Sequence, residues 1–387
     1  MAMDTLRNHL VELLKRSRSI TSPAVESAFR KVPRHEFLPG LTFEQVYRDD
    51  AIVTRWADGL PSSSSSQPAV MAIMAEQLEL RAGHAVLEIG AGTGYNAALL
   101  RELVGPTGKV VSVEIQPDVS EEARRNLERV GYGDVPVMTG DGGFGHPEGA
   151  PYDRIILTAS ASDIAPPWVE QLREGGLLLI PFRFSTMCLC VAFGKHGREL
   201  FSRSITCCGF MPLRGAYGPD ATGDDPRLPM GDGLFISGPG SRGVSLGLLE
   251  GLLSQTPRRV GDLIIPVNDF GLGGGLGTYL ALTESGLVDI FATQPERWGF
   301  HYISGLLDAA SESLCLVRRD AVVVYGSDAA AERYKRRARE WVDMGRPGVD
   351  RIRIAVGPTG IRTEQPGMWL LRRKHYDFTV TFEGSIV

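Results

Sequence analysis

The sequence of 387 residues predicts an α/β protein with a parallel sheet covered by helices, preceded by N-terminal helices and followed by a smaller α+β domain. Three observations support this class. Short apolar strands alternate with helical patterns from about residue 84 to 183, which favours a parallel sheet covered on both faces. A glycine turn joins the first of these strands to a helix. After a segment rich in proline and glycine, strand and helix patterns resume.

The first 80 residues are predicted to form helices before and after an irregular segment. Apolar residues recur at helical spacing over residues 4–32, where Ser22 and Pro23 form a helix start signal. Residues 33–66 contain several prolines and glycines and are predicted to be irregular. Pro68 suits the first turn of another helix. The serine run before it resembles a low-complexity linker in composition, yet it leads directly into this helix.

The central region alternates strands and helices in the order expected of βαβ units. Short apolar runs give the strands, and amphipathic segments give the helices between them. Strands are predicted at 85–89, 110–114, 136–139, 152–157 and 177–180, with helices at 96–104, 119–130 and 166–172. Two antiparallel strands follow at 189–193 and 200–206. The first domain is therefore predicted to span 1–217, with a Rossmann-like core at 81–217.

The remaining residues are predicted to form a linker and a second domain. Residues 218–240 are rich in proline, glycine and aspartate, which is typical of a linker. Residues 241–387 are long enough for a small core of their own and are predicted to be a C-terminal accessory domain. Strands are predicted there at 263–267, 287–292, 314–317 and 322–325, and a helix at 329–344.

Composition excludes several classes of protein. No run of about 18 uncharged apolar residues is present, so a transmembrane helix is not expected, and the N-terminus lacks a secretory signal pattern. The five cysteines have neither framework nor zinc spacing, which favours reduced thiols, a cytoplasmic location and no metal site. The net charge of −5 does not favour nucleic-acid binding. The oligomeric state is left open.

Charge is distributed unevenly along the chain. Residues 333–374 hold 12 Lys/Arg and 4 Asp/Glu, a local charge of +8, so the rest of the chain sums to −13. Such asymmetry marks either a surface for an acidic partner or a solvated helix face. Because this basic segment lies in the predicted C-terminal accessory domain, we interpret it as a docking surface for an acidic peptide.

The strongest motif is a glycine turn between the first central strand and the following helix. Gly90, Gly92 and Gly94 let the backbone turn tightly and approach a ligand closely. Glu114 ends the next strand 20 residues later, where an acid accepts hydrogen bonds from ribose hydroxyls. The spacing GxGxG differs from the dinucleotide pattern GxGxxG and resembles the first motif of class I methyltransferases that use S-adenosyl-L-methionine (SAM).

A wider resemblance covers roughly residues 20–215. The string VPRHEFLP at 32–39, the SQP at 66–68, TASA at 158–161 and LREGGL at 172–177 match landmarks of the protein-L-isoaspartate O-methyltransferase family in order. The resemblance implies SAM as cofactor, with S-adenosyl-L-homocysteine as product. It implies cofactor-binding roles for Glu88, Gly90, Gly92, Gly94, Tyr95, Glu114, Ile115, Asp141, Gly142 and Thr158.

The same resemblance indicates an acceptor site. The serine before Gln-Pro lies beside the accepting carboxylate in this family, which assigns the catalytic role to Ser66, with Ser65 as a neighbour able to share it. A carboxylate is already nucleophilic at neutral pH, so catalysis is mainly alignment by a hydrogen-bonding hydroxyl. Substrate-binding roles are implied for Tyr47, Asp49, Ser64 and Gln67.

The sequence also departs from the repair enzymes. Their PLPIG element before the serine is missing, and about 170 residues follow the methyltransferase region. These departures resemble extended homologues that accompany lanthipeptide and other peptide-tailoring (RiPP) pathways. The resemblance implies methylation of an aspartyl side chain in a modified peptide, with collapse of the ester to aspartimide and then isoaspartate. The alternatives are repair of isoaspartyl or D-aspartyl protein and a noncatalytic SAM-binding scaffold.

Overall fold

The computed structural model describes residues 2–57, 60–218, 228–261, 274–318 and 321–383. The N-terminal part contains helices α1 (Ala2–Arg16), α2 (Pro23–Lys31) and α3 (Phe43–Val46), strands β1 (Ile52–Ala57) and β2 (Leu60–Ser65), and helix α4 (Pro68–Gln77). Ser22 caps α2 by accepting a hydrogen bond from the backbone N–H of Val25. The predicted helices of this region are therefore present, since their start signals are read locally.

The central part contains the predicted alternation of strands and helices. Its strands are β3 (Ala85–Ile89), β4 (Lys109–Glu114), β5 (Val137–Thr139), β6 (Tyr152–Leu157), β7 (Leu172–Phe184), β8 (Met187–His196) and β9 (Glu199–Cys207). Its helices are α5 (Tyr95–Val104), α6 (Pro117–Arg129) and α7 (Pro166–Gln171). Every residue of β6 is buried, as expected for a strand with helices on both faces.

The C-terminal part contains further strands and helices. The strands are β10 (Leu228–Gly231), β11 (Leu234–Ser237), β12 (Arg258–Val260), β13 (Leu287–Ala292), β14 (Tyr302–Asp308), β15 (Ser313–Val317), β16 (Val322–Gly326), β17 (Ile352–Pro358), β18 (Met368–Arg372) and β19 (Tyr376–Phe382). The helices are α8 (Leu246–Leu253), α9 (Gly274–Thr283), α10 (Pro295–Trp298) and α11 (Ala329–Asp343). The strand predicted at 263–267 lies outside the described residues.

A ten-stranded sheet forms the centre of the molecule, in the order β18-β19-β17-β9-β8-β7-β6-β3-β4-β5. Strands β5, β4, β3, β6 and β7 pair in parallel, and the pairs from β7 onwards are antiparallel. This arrangement confirms the predicted Rossmann-like α/β class. The carboxyl ends of β3, β4 and β6 therefore meet at one edge, where ligands bind in open α/β sheets.

The segment predicted to be irregular contains a β-hairpin. Strands β1 and β2 pair antiparallel, with Ile52 opposite Ser65 and Val53 opposite Ser64. The prediction for residues 33–66 was wrong there because serine and proline are weak strand formers, and only pairing with β1 gives this run its extended form. We call β2 together with Ser66 the serine strand.

The last strands of the chain extend the ten-stranded sheet. Strand β17 pairs with β9, with Val356 opposite Leu200 and Ala355 opposite Phe201, and β19 and β18 continue the sheet. The aromatic rings of Phe182 and Phe378 stack with centroids 4.4 Å apart. This differs from the expectation that 241–387 forms a unit of its own. Pairing with β17 covers β9, which would otherwise expose the hydrogen-bonding groups of an edge strand.

A second, seven-stranded sheet has the order β10-β11-β13-β14-β15-β16-β12 and is antiparallel throughout. Residues 228–231 and 234–237 of the expected linker are strands of this sheet. Residues of this sheet, of α9 and α11 and of the ten-stranded sheet form one continuous apolar core. The predicted strands at 287–292, 314–317 and 322–325 and the helix at 329–344 are present. The division of the chain into domains stays a prediction.

Among the described residues, no helix combines the length and apolar character needed to span a bilayer.

Candidate active site

A cavity of about 340 Å³ lies at the carboxyl ends of β3 and β4. Its floor is the glycine turn, and its roof is the serine strand. Among its lining residues are seven of the residues predicted to bind the cofactor, namely Gly90, Gly92, Tyr95, Glu114, Ile115, Gly142 and Thr158. The topology therefore brings most of the predicted cofactor residues to one place, and we call this space the cofactor cavity.

The glycine turn leaves no room for side chains. Gly90 and Gly92 have φ angles of +101° and +53°, which side chains rarely adopt. A Cβ atom on Gly90 would lie 2.3 Å from Oγ1 of Thr158, and one on Gly92 would lie 3.2 Å from the carbonyl oxygen of Ser64. Gly92 is thus packed against the serine strand, and a side chain at either glycine position would strain the turn that forms the floor of the cavity.

Glu114 reaches the glycine turn from the end of β4. Its carboxylate accepts hydrogen bonds from the backbone N–H groups of Gly92 (3.1 Å) and Gln116 (3.1 Å). These contacts fix the carboxylate at the cavity wall. An acid in this position suits the ribose hydroxyls of a nucleoside, as the sequence predicted.

Glu88 lies beneath the glycine turn rather than in the cavity wall. Its side chain is fully buried, and its carboxylate accepts hydrogen bonds from Nδ2 of Asn96 (2.7 Å) and from the hydroxyl of Ser112. Burial raises the pKa of the Glu88 carboxyl to about 7. Asn96 itself lines the cavity, so Glu88 supports the floor through Asn96.

Two other residues predicted to bind the cofactor also lie outside the cavity wall. The carboxylate of Asp141 accepts hydrogen bonds from the backbone N–H groups of Gly143 (2.8 Å) and Ala216 (2.7 Å). Gly94 begins helix α5 and faces Ala123 and Leu127 of α6. Asp141 therefore ties two segments near the cavity together, and Gly94 allows α5 and α6 to pack closely.

The serine strand separates the cofactor cavity from a second cavity of about 470 Å³. Ser64 and Ser66 line both spaces, whereas Ser65 lines only the cofactor cavity. The hydroxyl of Ser65 is buried and has no hydrogen-bond partner among the described residues. An orphaned hydroxyl aimed at a cavity is satisfied by a polar ligand, which fits an occupant such as SAM.

A buried arginine holds the serine strand in place. The guanidinium of Arg34 is fully buried and donates to the carbonyl oxygens of Val46 (2.8 Å), Arg48 (3.1 Å), Asp50 (3.1 Å) and Ser66 (3.1 Å). Burial lowers the pKa of this guanidinium from its usual value. Sequence reasoning gave Arg34 no site role, although it belongs to the VPR motif that carried the family resemblance.

The residues predicted to bind substrate fall into two groups. Ser64 and Gln67 line the second cavity, but Tyr47 and Asp49 line neither. Asp49 accepts hydrogen bonds from Nε2 of Gln67 (3.1 Å) and the backbone N–H of Ala69 (2.8 Å). The hydroxyl of Tyr47 lies 2.8 Å from Nδ1 of His35. Asp49 therefore positions the end of the serine strand, and Tyr47 packs behind it.

Sequence reasoning missed further residues at the serine strand and in the second cavity. Nε2 of Gln116 and the guanidinium of Arg214 donate to the carbonyl oxygen of Ser62, both at 3.2 Å. Arg183 of β7 and Asp289 of β13 line the second cavity. None belongs to a recognised motif, and Arg183 and Asp289 come to line one cavity only through the packing of two sheets. Only the position of Gln116, two residues after Glu114, offered a local signal.

Comparisons with known proteins agree with this geometry. Residues 5–217 match the family described as protein-L-isoaspartate(D-aspartate) O-methyltransferase. A protein-L-isoaspartate O-methyltransferase of Archaeoglobus fulgidus is 38% identical over 218 residues, which is 56% of this chain and 97% of the relative. One of Hyperthermus butylicus is 41% identical over 222 residues, 55% of this chain and 90% of the relative.

A solved structure named protein-L-isoaspartate O-methyltransferase resembles nearly the whole chain. It superimposes with a TM-score of 0.54 at 26% sequence identity, over 91% of this chain and 96% of that protein. The similarity therefore continues past residue 217, and residues beyond the methyltransferase region also have counterparts in a protein of that name.

Proposed function

Because the chain belongs to the protein-L-isoaspartate(D-aspartate) O-methyltransferase family and is a SAM-dependent protein carboxyl O-methyltransferase, we propose that its acceptor is the free carboxyl of isoaspartyl residues in proteins. The observation that carries the proposal is the serine strand, whose Ser64 and Ser66 line the cofactor cavity on one side and a second cavity on the other. A methyl donor and a carboxylate held in these two spaces meet at Ser66.

The residues of the chain supply alignment rather than strong acid or base. SAM, when bound, provides a methyl group on a positively charged sulfur that a carboxylate oxygen can attack. The glycine turn and Glu114 hold the cofactor. The hydroxyl of Ser66 donates a hydrogen bond to one carboxylate oxygen and so orients the other towards the methyl group. Arg34 and Asp49 fix the backbone that carries Ser66.

The test compares two peptides of identical sequence, one with L-isoaspartate and one with L-aspartate at the same position. Each is incubated with the protein and SAM, and mass spectrometry follows the addition of one methyl group. We expect methylation of the isoaspartyl peptide and little of the aspartyl peptide. Absence of product on both, with S-adenosyl-L-homocysteine still bound in calorimetry, would instead support the noncatalytic scaffold.

A second candidate is an aspartyl side chain of a ribosomally made, modified peptide, whose methyl ester then closes to aspartimide and opens to isoaspartate. The hairpin β1–β2 favours it, because this hairpin stands where the repair enzymes carry the PLPIG element and contributes to the walls of both cavities. The acceptor side of this chain therefore differs from the repair pattern at the place where the substrate binds.

A constrained aspartyl peptide, tested beside the isoaspartyl peptide, separates the two candidates. Methylation of a constrained aspartyl peptide, followed by loss of methanol to give an imide, would support peptide tailoring. Methylation of the isoaspartyl peptide alone would support repair. If a gene for a precursor peptide lies beside the gene for this protein, that peptide is the substrate to test for the first outcome.

We also propose that the basic segment docks an acidic peptide through the cations that the fold leaves exposed. Several of its cations are already paired within the protein: Arg333 and Arg337 with Glu284, Arg362 with Glu199, and Arg353 with Glu383. The charge counted from the sequence is thus partly neutralised on folding. If the segment does bind the peptide, the affinity falls between low and high salt. An unchanged affinity would show that the basic segment is only a solvated face.

We propose a cytoplasmic location, since all five cysteines are unpaired thiols.

A further inference from the structure

The second cavity is built by both sheets of the molecule. The serine strand forms one side, and Arg183, Thr186 and Met187 at the β7–β8 turn form another. The seven-stranded sheet closes it with the face of β13 and β14 that carries Asp289, Phe291, Tyr302 and Ser304. The sheet that contains no recognised catalytic motif therefore reaches the space beside Ser66.

The wall supplied by the seven-stranded sheet is polar. The hydroxyl of Ser304 donates to Oδ1 of Asp289 at 2.6 Å and lies 3.0 Å from the phenol oxygen of Tyr302. Asp289 is 2% exposed and stands between Val288 and Ile290, which are buried and apolar. Burying a carboxylate costs free energy unless it is hydrogen-bonded, and the contact with Ser304 allows Asp289 to stand in this wall as an acidic group.

The opposite wall carries a cation. Arg183 at the end of β7 is 9% exposed, and its planar guanidinium presents several donors in a fixed geometry that suits carbonyl and carboxylate oxygens. Apolar side chains, among them Met187, Phe210 and Phe291, line the cavity between these two walls. A carboxylate on one wall can accept hydrogen bonds from the N–H groups of a peptide chain. A guanidinium on the other wall can donate hydrogen bonds to its C=O groups.

We infer that this cavity is the acceptor pocket, and that Asp289, Tyr302 and Arg183 bind the peptide main chain beside the carboxyl that is methylated. The inference rests on the proposed function. The substrate class is an aspartyl or isoaspartyl residue within a peptide rather than a free carboxylic acid. The seven-stranded sheet thus determines specificity, and the methyltransferase half supplies the cofactor and Ser66.

The experiment measures steady-state methylation of the better of the two peptides by Tyr302→Phe, Asp289→Asn and Arg183→Met. Each variant removes a hydrogen bond or charge while keeping a similar shape. We expect KM for the peptide to rise by about 3–10-fold for Tyr302→Phe and about 10–100-fold for the two charged residues. The affinity for S-adenosyl-L-homocysteine and the value of kcat should stay within about twofold, because the cofactor cavity is untouched.

Matched controls stand on the same sheet. Tyr325 of β16 packs in the core on the other face, and Asp308 of β14 pairs with Arg333, so Tyr325→Phe and Asp308→Asn change the same groups away from the cavity. We expect both to keep the wild-type KM. Thermal unfolding checks that each variant folds. If Asp289→Asn does not fold, Thr186→Trp fills the cavity from the β7–β8 turn and should block methylation while leaving cofactor affinity unchanged.

The outcomes are distinguishable. If the wild-type protein methylates a peptide and the cavity variants keep the KM of their controls, the inference is overturned while the proposed function stands. If the wild-type protein methylates neither peptide, the proposed function fails, and the inference fails with it. A rise in KM confined to the cavity variants supports both.

Discussion

The two cavities on either side of the serine strand are assembled in different ways. The cofactor cavity is lined mainly by short stretches of sequence, 61–66, 89–96 and 113–116, each of which forms a recognisable turn or strand end. The second cavity combines residues from 183–188, 207–211 and 289–304, and no single sequence motif contains these three segments. The motifs that would hold a widely shared cofactor are thus local, whereas the proposed acceptor pocket consists of surfaces that only tertiary packing brings together.

Arg34 holds the serine strand, which lines both cavities. Its replacement should therefore have the largest effect of the substitutions, a loss of stability. Arg34→Met removes a fully buried guanidinium that donates to four carbonyl oxygens, so we expect the free energy of unfolding to fall by about 3–5 kcal/mol. Urea titration measures it, with Arg16→Met at an exposed site as control. A loss similar to that of the control would show that Arg34 does not hold the strand.

Glu88 supports only the cofactor cavity, whose floor it holds through Asn96. Burial raises its pKa from 4.5 to about 7, so the folded state keeps the proton when the unfolded chain has already released it. The folded state is therefore disfavoured progressively between about pH 4.5 and 7, by about 3 kcal/mol in all, and the loss persists above pH 7. Unfolding measured across this range should show the decline in wild type, a flatter profile in Glu88→Gln, and no change of slope in the exposed Glu44→Gln.

Replacing Gly92 tests the loss of cofactor binding separately from the effect of general backbone strain. Gly92→Val forces a β-branched residue into φ +53° and against the carbonyl oxygen of Ser64, so we expect the affinity for SAM to fall by about 100-fold or more. Gly360 also has a positive φ, with open space around its Cβ position, and Gly360→Val is the control. Equal losses of SAM affinity in both, measured by calorimetry, would attribute the effect to folding alone.

Ser66 lies where the two cavities meet, and its hydroxyl should matter for turnover only. Ser66→Ala removes a hydrogen bond to a charged acceptor, which corresponds to a decrease of about 10–100-fold in kcat. SAM affinity should stay the same, because Arg34 holds this residue through its carbonyl oxygen. A distant serine at the end of α8, changed as Ser254→Ala, is the control. An unchanged kcat would move the acceptor site away from Ser66.

Much of the first cavity followed from the sequence because its determinants are local. Positive φ angles required glycines at 90 and 92, and an acid at the end of the next strand was expected beside them. Glu88 shows the limit of this reasoning. Its place in the motif suggested contact with the cofactor, but a side chain on β3 that points into the core is buried against Asn96 and Ser112.

The sequence by itself determined the α/β class, the alternating strands and helices and the family, since periodicity, glycine turns and motif order are properties of neighbouring residues. Tertiary structure alone decided three features. The serine run becomes a strand because β1 pairs with it, the last three strands join the central sheet because β9 has a free edge, and Asp289 and Arg183 line one cavity because two sheets pack together. The last two features join residues more than a hundred positions apart, and no local pattern records them.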